Sequence, residues 1–121
     1  MKKTSEHSEQ CIIFKWKKFN EIRYPSLKFL FSSLSGVRLT MGQAKKAKES
    51  GNLSGVPDVL LLYPNDKYHG LAIELKIKGN YASKTQKEFI SNLNKNGYYA
   101  QVCYGSKEAI ETIEKYLKNQ L

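Results

Sequence analysis

The sequence predicts an α/β fold, a mixed four-stranded sheet flanked by helices, and three observations carry that expectation. Apolar residues recur at helical spacing near both ends of the chain. Short apolar runs bounded by Gly, Pro and Asn lie between them. The two patterns follow one another as helix, strand, helix, two strands, helix, strand, helix.

Residues 1–8 are polar and are expected to fray. From Glu9 to Phe19 the apolar Ile12, Ile13, Trp16 and Phe19 alternate with Lys15, Lys17 and Lys18, which predicts an amphipathic helix with a basic outer face. Leu27 to Phe31, preceded by Pro25, reads as a strand, and Gly36 as a turn. The Ala- and Lys-rich stretch Gln43 to Glu49 predicts a surface helix ending near Gly51. Val59 to Tyr63 is a continuous apolar run between prolines, the mark of a buried central strand. Leu71 to Ile77 is expected to pair with it as a hairpin turning through Pro64 to Gly70.

Ser83 with Gln86 is a capping-box pattern opening a helix whose inner stripe is Gln86, Phe89, Ile90 and Leu93. That stripe predicts a Gln86 amide facing the sheet. Asn96-Gly97 ends the helix, and Tyr98 to Tyr104 is the fourth strand, with part of its tyrosines in the core. Gly105-Ser106 is expected to cap a last helix carrying Ile110, Ile113 and Leu117 on one side.

With 121 residues and no linker, the chain is expected to form a single domain, 1–121. A hydrophobic fraction of 40% with eight Tyr, five Phe and one Trp excludes a disordered class. The net charge of +9 favours a polyanionic partner, and nucleic acid before membrane, since no long basic amphipathic helix is present. Cys11 and Cys103 read as buried hydrophobes in a reducing compartment. No apolar run nears the roughly 18 residues of a membrane span, and a cytoplasmic location is expected. His7 and His69 lack neighbouring ligands at zinc spacing, and there is no P-loop, dinucleotide fingerprint or Gly-x-Ser-x-Gly elbow.

Chemistry concentrates in the two central strands. In Leu71 to Ile77 strict alternation puts Glu74 and Lys76 on one face, roughly 7 Å apart at Cα. Asp58 begins the preceding strand, and a hairpin returns Glu74 to its level. Two carboxylates so placed make an oxygen site for Mg²⁺ or Mn²⁺, and the lysine adds positive charge where a phosphate gains negative charge. Glu-x-Lys on a strand is commonly a solvated ion pair, and Pro-Asp is commonly a turn. What distinguishes this chain is their conjunction, in order, with Gln86.

The stretch Gly51 to Gln86, with Gly55-Val56-Pro57-Asp58, Ile73-Glu74-Leu75-Lys76 and Ser83-Lys84-Thr85-Gln86, resembles the VRR-NUC (virus-type replication-repair nuclease) family of the PD-(D/E)xK nuclease superfamily. Asn96-Gly97-Tyr98 and Val102-Cys103-Tyr104-Gly105 extend the resemblance, which runs from about Glu9 to Leu117. It implies a restriction-endonuclease-like αβββαβ core and divalent-metal hydrolysis of DNA. In small standalone members found in phages and bacteria it also implies homodimers that cut four-way junctions. By the same resemblance Asp58, Glu74 and the Leu75 carbonyl would bind metal, Lys76 would be the catalytic lysine, and Gln86 would orient groups at the site. Glu9 would be the N-terminal acidic residue reaching the metal directly or through water, with Glu6 a competing candidate. The resemblance is weakest over Ser32 to Arg38, where relatives carry a Pro-Asn-Gly-like turn.

Lys15, Lys17, Lys18, Arg38, Lys45, Lys46, Lys48, Lys78, Lys84 and Lys87 are the candidate phosphate contacts. No element resembles a major-groove reading helix, so structure-selective cutting, plausible for a Holliday-junction resolvase, is expected over sequence-specific cutting. One site per chain means that paired cuts need a symmetric homodimer. A non-catalytic nucleic-acid-binding module and a sequence-specific restriction-type nuclease are the alternatives.

Overall fold

A computed structural model describes residues 4–33 and 37–121. The chain runs through α1 (Glu6–Asn20), a 3-10 helix (Pro25–Phe29), β1 (Leu30–Ser32), α2 (Met41–Glu49), β2 (Val59–Leu61), β3 (Leu71–Lys76), α3 (Lys84–Lys95), β4 (Tyr99–Tyr104) and α4 (Gly105–Leu117). The four strands form a mixed sheet in the order β1-β2-β3-β4. The first three are antiparallel neighbours, and β4 runs parallel to β3 through the α3 crossover. The expected α/β class and αβββαβ order are those observed, with α2 inserted between β1 and β2.

Register explains the core. Leu30 pairs with Leu61 and Leu61 with Leu71, Val59 pairs with Ile73, and Leu75 with Cys103. All seven therefore share one sheet face, and all are buried. Ile13 of α1 and Ala109, Ile113 and Tyr116 of α4 close over them. Each fully buried Leu or Ile there contributes roughly 1.5–3 kcal/mol. The other face carries Leu60, Ala72, Asp58, Glu74 and Lys76. Phe89 and Leu93 of α3 approach it, but no residue of α3 is fully buried. This cover is thinner than that of the core face, yet Asp58, Ala72 and Glu74 beneath it are buried.

Several boundaries differ from the sequence reading, for local reasons. Residues 25–29 form a 3-10 turn, because Pro25 at its first position presets a helical φ; the strand is reduced to 30–32. Helix α1 starts at Glu6, where Ser5 and Ser8 cap one another reciprocally, so Glu6 to Ser8 form the first turn instead of fraying. Its apolar stripe narrows: Ile13 is buried, whereas Phe19 is 86% exposed. Cys103 is buried as expected, but Cys11 is exposed, with its Sγ 3.6 Å from His7 Nε2. The turn expected at Gly36 lies outside the described residues. Among the described residues, no helix is long and apolar enough to cross a membrane.

Candidate metal and nuclease site

Asp58 and Glu74 meet because of the hairpin. Val59 pairs with Ile73, so continuing the antiparallel register sets Asp58 opposite Glu74 and Pro57 opposite Leu75. Proline has no N–H, so it cannot extend the ladder. The Asp58 carboxylate takes over instead, its Oδ2 accepting from Leu75 N at 3.0 Å. The Leu75 carbonyl leaves the strand on that same edge, where Pro57 has no donor to offer. Ser33 fixes the other side, its N–H donating to Asp58 O and its Oγ to Pro57 O. Pro57-Asp58 thus ends the sheet and aims a carboxylate across it.

Glu74 is 1% exposed. Its Oε2 lies 3.7 Å from Lys76 Nζ, while Oε1 is buried with no hydrogen-bond partner. Burial pushes the carboxyl up to about 9, helped by the hydrogen bond and negative charge of Asp58 and opposed by Lys76; Glu6 adds further negative charge. An orphaned buried carboxylate oxygen beside a second carboxylate is costly as it stands. A divalent cation would remove that cost, and Asp58 and Glu74 both offer carboxylate oxygens, the donors a hard ion takes. Among the described residues no three His, Cys, Asp or Glu side chains gather as a ready-made metal cluster. A cation here would rest on two carboxylates with backbone oxygen and water.

Glu6 and Glu9 separate by helix geometry. Glu6, His7 and Gln10 line a cleft of about 300 Å³ with Asp58, Ser32, Ser33 and Val37. Glu6 Oε2 also accepts from Asn80 Nδ2 at 3.0 Å. Glu9 points elsewhere: its Oε1 accepts from Ser106 N at 3.1 Å and Ser106 Oγ at 3.3 Å. It therefore caps α4, whose own N-cap residue, Tyr104, supplies no side-chain bond. The expected cap by Gly105-Ser106 is replaced by a carboxylate from the far end of the sequence. Gly105, at φ +87, allows this approach, since a Cβ there would sit 3.1 Å from Glu9 Oε1. Glu6, the competing candidate, is the one at the cleft, and Gln10, not singled out in the sequence, joins it there. Their spacing of four from one another, on the Ile13 side, was the available signal.

Gln86 stands half-buried at the start of α3 beside Ser54 and Gly55. Its Oε1 accepts from Ser83 N at 2.8 Å, completing the capping box. The side chain thus turns back along its own helix and does not face the sheet as its place on the apolar stripe predicts. Gly55, at φ +85, packs against Thr85 so closely that a Cβ would lie 2.9 Å from Thr85 O. This contact locks the loop before Asp58 onto the first turn of α3.

Lys15, Lys18, Arg38, Lys45, Lys46, Lys48, Lys78, Lys84 and Lys87 are exposed. Lys15 lies about 200° around α1 from buried Ile13, on the side away from the sheet. Lys17 is withdrawn from the solvent set, since its Nζ donates to Leu30 O at 2.7 Å and ties α1 to β1.

Comparison with known proteins agrees with this architecture. The model of the VRR-NUC domain matches residues 1–107. A solved structure described as a VRR_NUC domain protein is 33% identical, with a TM-score of 0.81, over 98% of this chain and 92% of that one. No curated protein sequence matches the chain. A nuclease-type fold is thereby established over nearly the whole length, and the chain belongs to the VRR-NUC family.

Proposed function

We propose that the chain is a divalent-metal-dependent, structure-selective DNA endonuclease, with four-way or otherwise branched DNA as its substrate. The observation that carries this reading is the Glu74 carboxyl beside Asp58, its Oε1 buried without a hydrogen-bond partner and its Oε2 3.7 Å from Lys76 Nζ. Asp58, Glu74 and the Leu75 carbonyl would hold Mg²⁺ or Mn²⁺, with Glu6, in place of Glu9, the nearest further carboxylate. Such an ion, when bound, supplies Lewis acidity and a lowered pKa for water.

The chain's own residues do the rest. Lys76, 12% exposed at its side chain and beside Glu74, presents a fixed ammonium where phosphate charge grows. Glu6 and Gln10 line the same cleft as Asp58 and would meet a phosphate backbone entering it. The Gln86 amide, with its oxygen engaged by Ser83, retains its N–H donors for phosphate or water. Lys78, Lys84 and Lys87 provide phosphate contacts around this face. Paired cuts on a junction require two sites, hence a homodimer. Exposed Phe19 and Ile22, at 86% and 97%, supply apolar surface for such a contact.

The test incubates the purified protein with junction, flap, nicked and linear DNA in Mg²⁺, Mn²⁺ or EDTA. Metal-stimulated breaks concentrated in branched forms are expected. Binding without breaks on any form would instead make this a non-catalytic module, and discrete bands on long linear duplex a restriction-type enzyme. Light scattering in solution reads the dimer.

A further inference from the structure

Helix α2 contributes nothing to the core: none of its residues is buried. Nine residues are too few for a helix to be stable alone in water. Its first turn is closed by the reciprocal Thr40–Gln43 capping box, and the loop that follows it packs at Gly55 on Thr85. The segment 37–55 carries Arg38, Lys45, Lys46 and Lys48 against the single carboxylate Glu49. It also presents large apolar side chains to solvent, Val37 at 52%, Leu53 at 60% and Met41 at 92%. Cations flanking an exposed unbranched apolar side chain fit a stacked polyanion: phosphates for the charges, a gap between bases for the thioether.

The segment is also within reach. Val37 lines the same cleft as Asp58. Four residues further on, Met41 lies at most about 14 Å from it along an extended chain. That is about four base steps at about 3.4 Å each. At a branch, stacking is already interrupted and insertion costs least.

We propose that Met41 is a wedge that enters the base stack at a DNA branch, while Arg38, Lys45, Lys46 and Lys48 grip the neighbouring phosphates. This assignment rests on the proposed nuclease reading and gives it a basis for choosing branched over linear DNA. Met41 acts on the DNA some steps from the cut and is a specificity residue, not a catalytic one.

The test uses a four-way junction and a linear duplex of matched sequence, each carrying 2-aminopurine at the branch position, bound to the full chain in Ca²⁺ under conditions with no cleavage. The wild type is expected to raise fluorescence at the branch severalfold and to prefer the junction. Met41→Ser, at a solvent-exposed position, is expected to abolish the rise and reduce the preference about tenfold. Its affinity for linear duplex and its salt slope should stay unchanged, and Met41→Leu should retain both wild-type responses. Lys45→Gln/Lys46→Gln/Lys48→Gln should weaken both DNAs and flatten the salt slope. The wedge is overturned if Met41→Ser keeps the fluorescence rise and the preference, or if the wild type shows neither. The grip is overturned if the triple variant leaves the salt slope unaltered. Absence of cleavage by the wild type in Mg²⁺ or Mn²⁺ would instead refute the nuclease reading, because the wedge is read from binding alone.

Discussion

Glu74 is buried away from solvent, and its environment predicts an unusual pH dependence. Its folded pKa of about 9 lies above the ordinary 4.5. Below about pH 4.5 both folded and unfolded states hold the proton, and no penalty arises. Between about 4.5 and 9 the unfolded chain releases it while the folded chain retains it, so metal-free stability falls as pH rises. In EDTA, Glu74→Gln should therefore stabilise the protein at pH 7 by on the order of 2 kcal/mol and flatten this slope. Denaturant melts at pH 5 and pH 8 read the difference; equal slopes for both proteins would contradict the assignment. The same substitution, and Lys76→Ala, should each reduce cleavage by about 10²-fold or more with the fold intact. Glu6 and Glu9 make a second pair of opposites. Glu9→Ala removes the α4 cap and should cost about 1 kcal/mol of stability. Glu6→Ala should lower cleavage with little change in melting. The reverse result would return the catalytic role to Glu9.

At the scale of elements, the loop before β2 ties the sheet to α3 through the contact of Gly55 with Thr85. Gly55 needs its left-handed φ and has no space for a Cβ against the Thr85 backbone. Gly55→Ala should destabilise the fold by about 1–3 kcal/mol and displace Asp58 relative to Gln86. Thermal melts should show the first effect, and weaker Mn²⁺-induced stabilisation the second. A variant with wild-type melting and metal response would show the contact to be dispensable. The capping boxes of α2 and α3 were both encoded locally, and Ser83–Gln86 was legible in the sequence because the motif is short-range. The α4 cap was illegible for the opposite reason: its donor and acceptor are 97 residues apart in sequence.

For the whole molecule, a net charge of +9 spread over exposed lysines predicts affinity that falls steeply with salt. Each of Lys78, Lys84 and Lys87 changed to Gln should lower the log–log slope by about 1, irrespective of DNA sequence. Titrations between about 50 and 200 mM salt measure it, and a salt-independent affinity would remove nucleic acid as the partner. The charge count alone says nothing of orientation. Lys17 belongs to the same basic run as Lys15 and Lys18, yet it holds a β1 carbonyl.

The sequence by itself determined the α/β class, the strand alternation and the conjunction of Asp58, Glu74 and Lys76, because period, proline position and register are local properties. Tertiary structure decided what depends on distant elements meeting: that Glu74 loses its solvent, that Glu6 faces the cleft while Glu9 caps α4, and that α2 stands clear of the core. Burial and capping across the chain are set by packing, which no window of sequence contains.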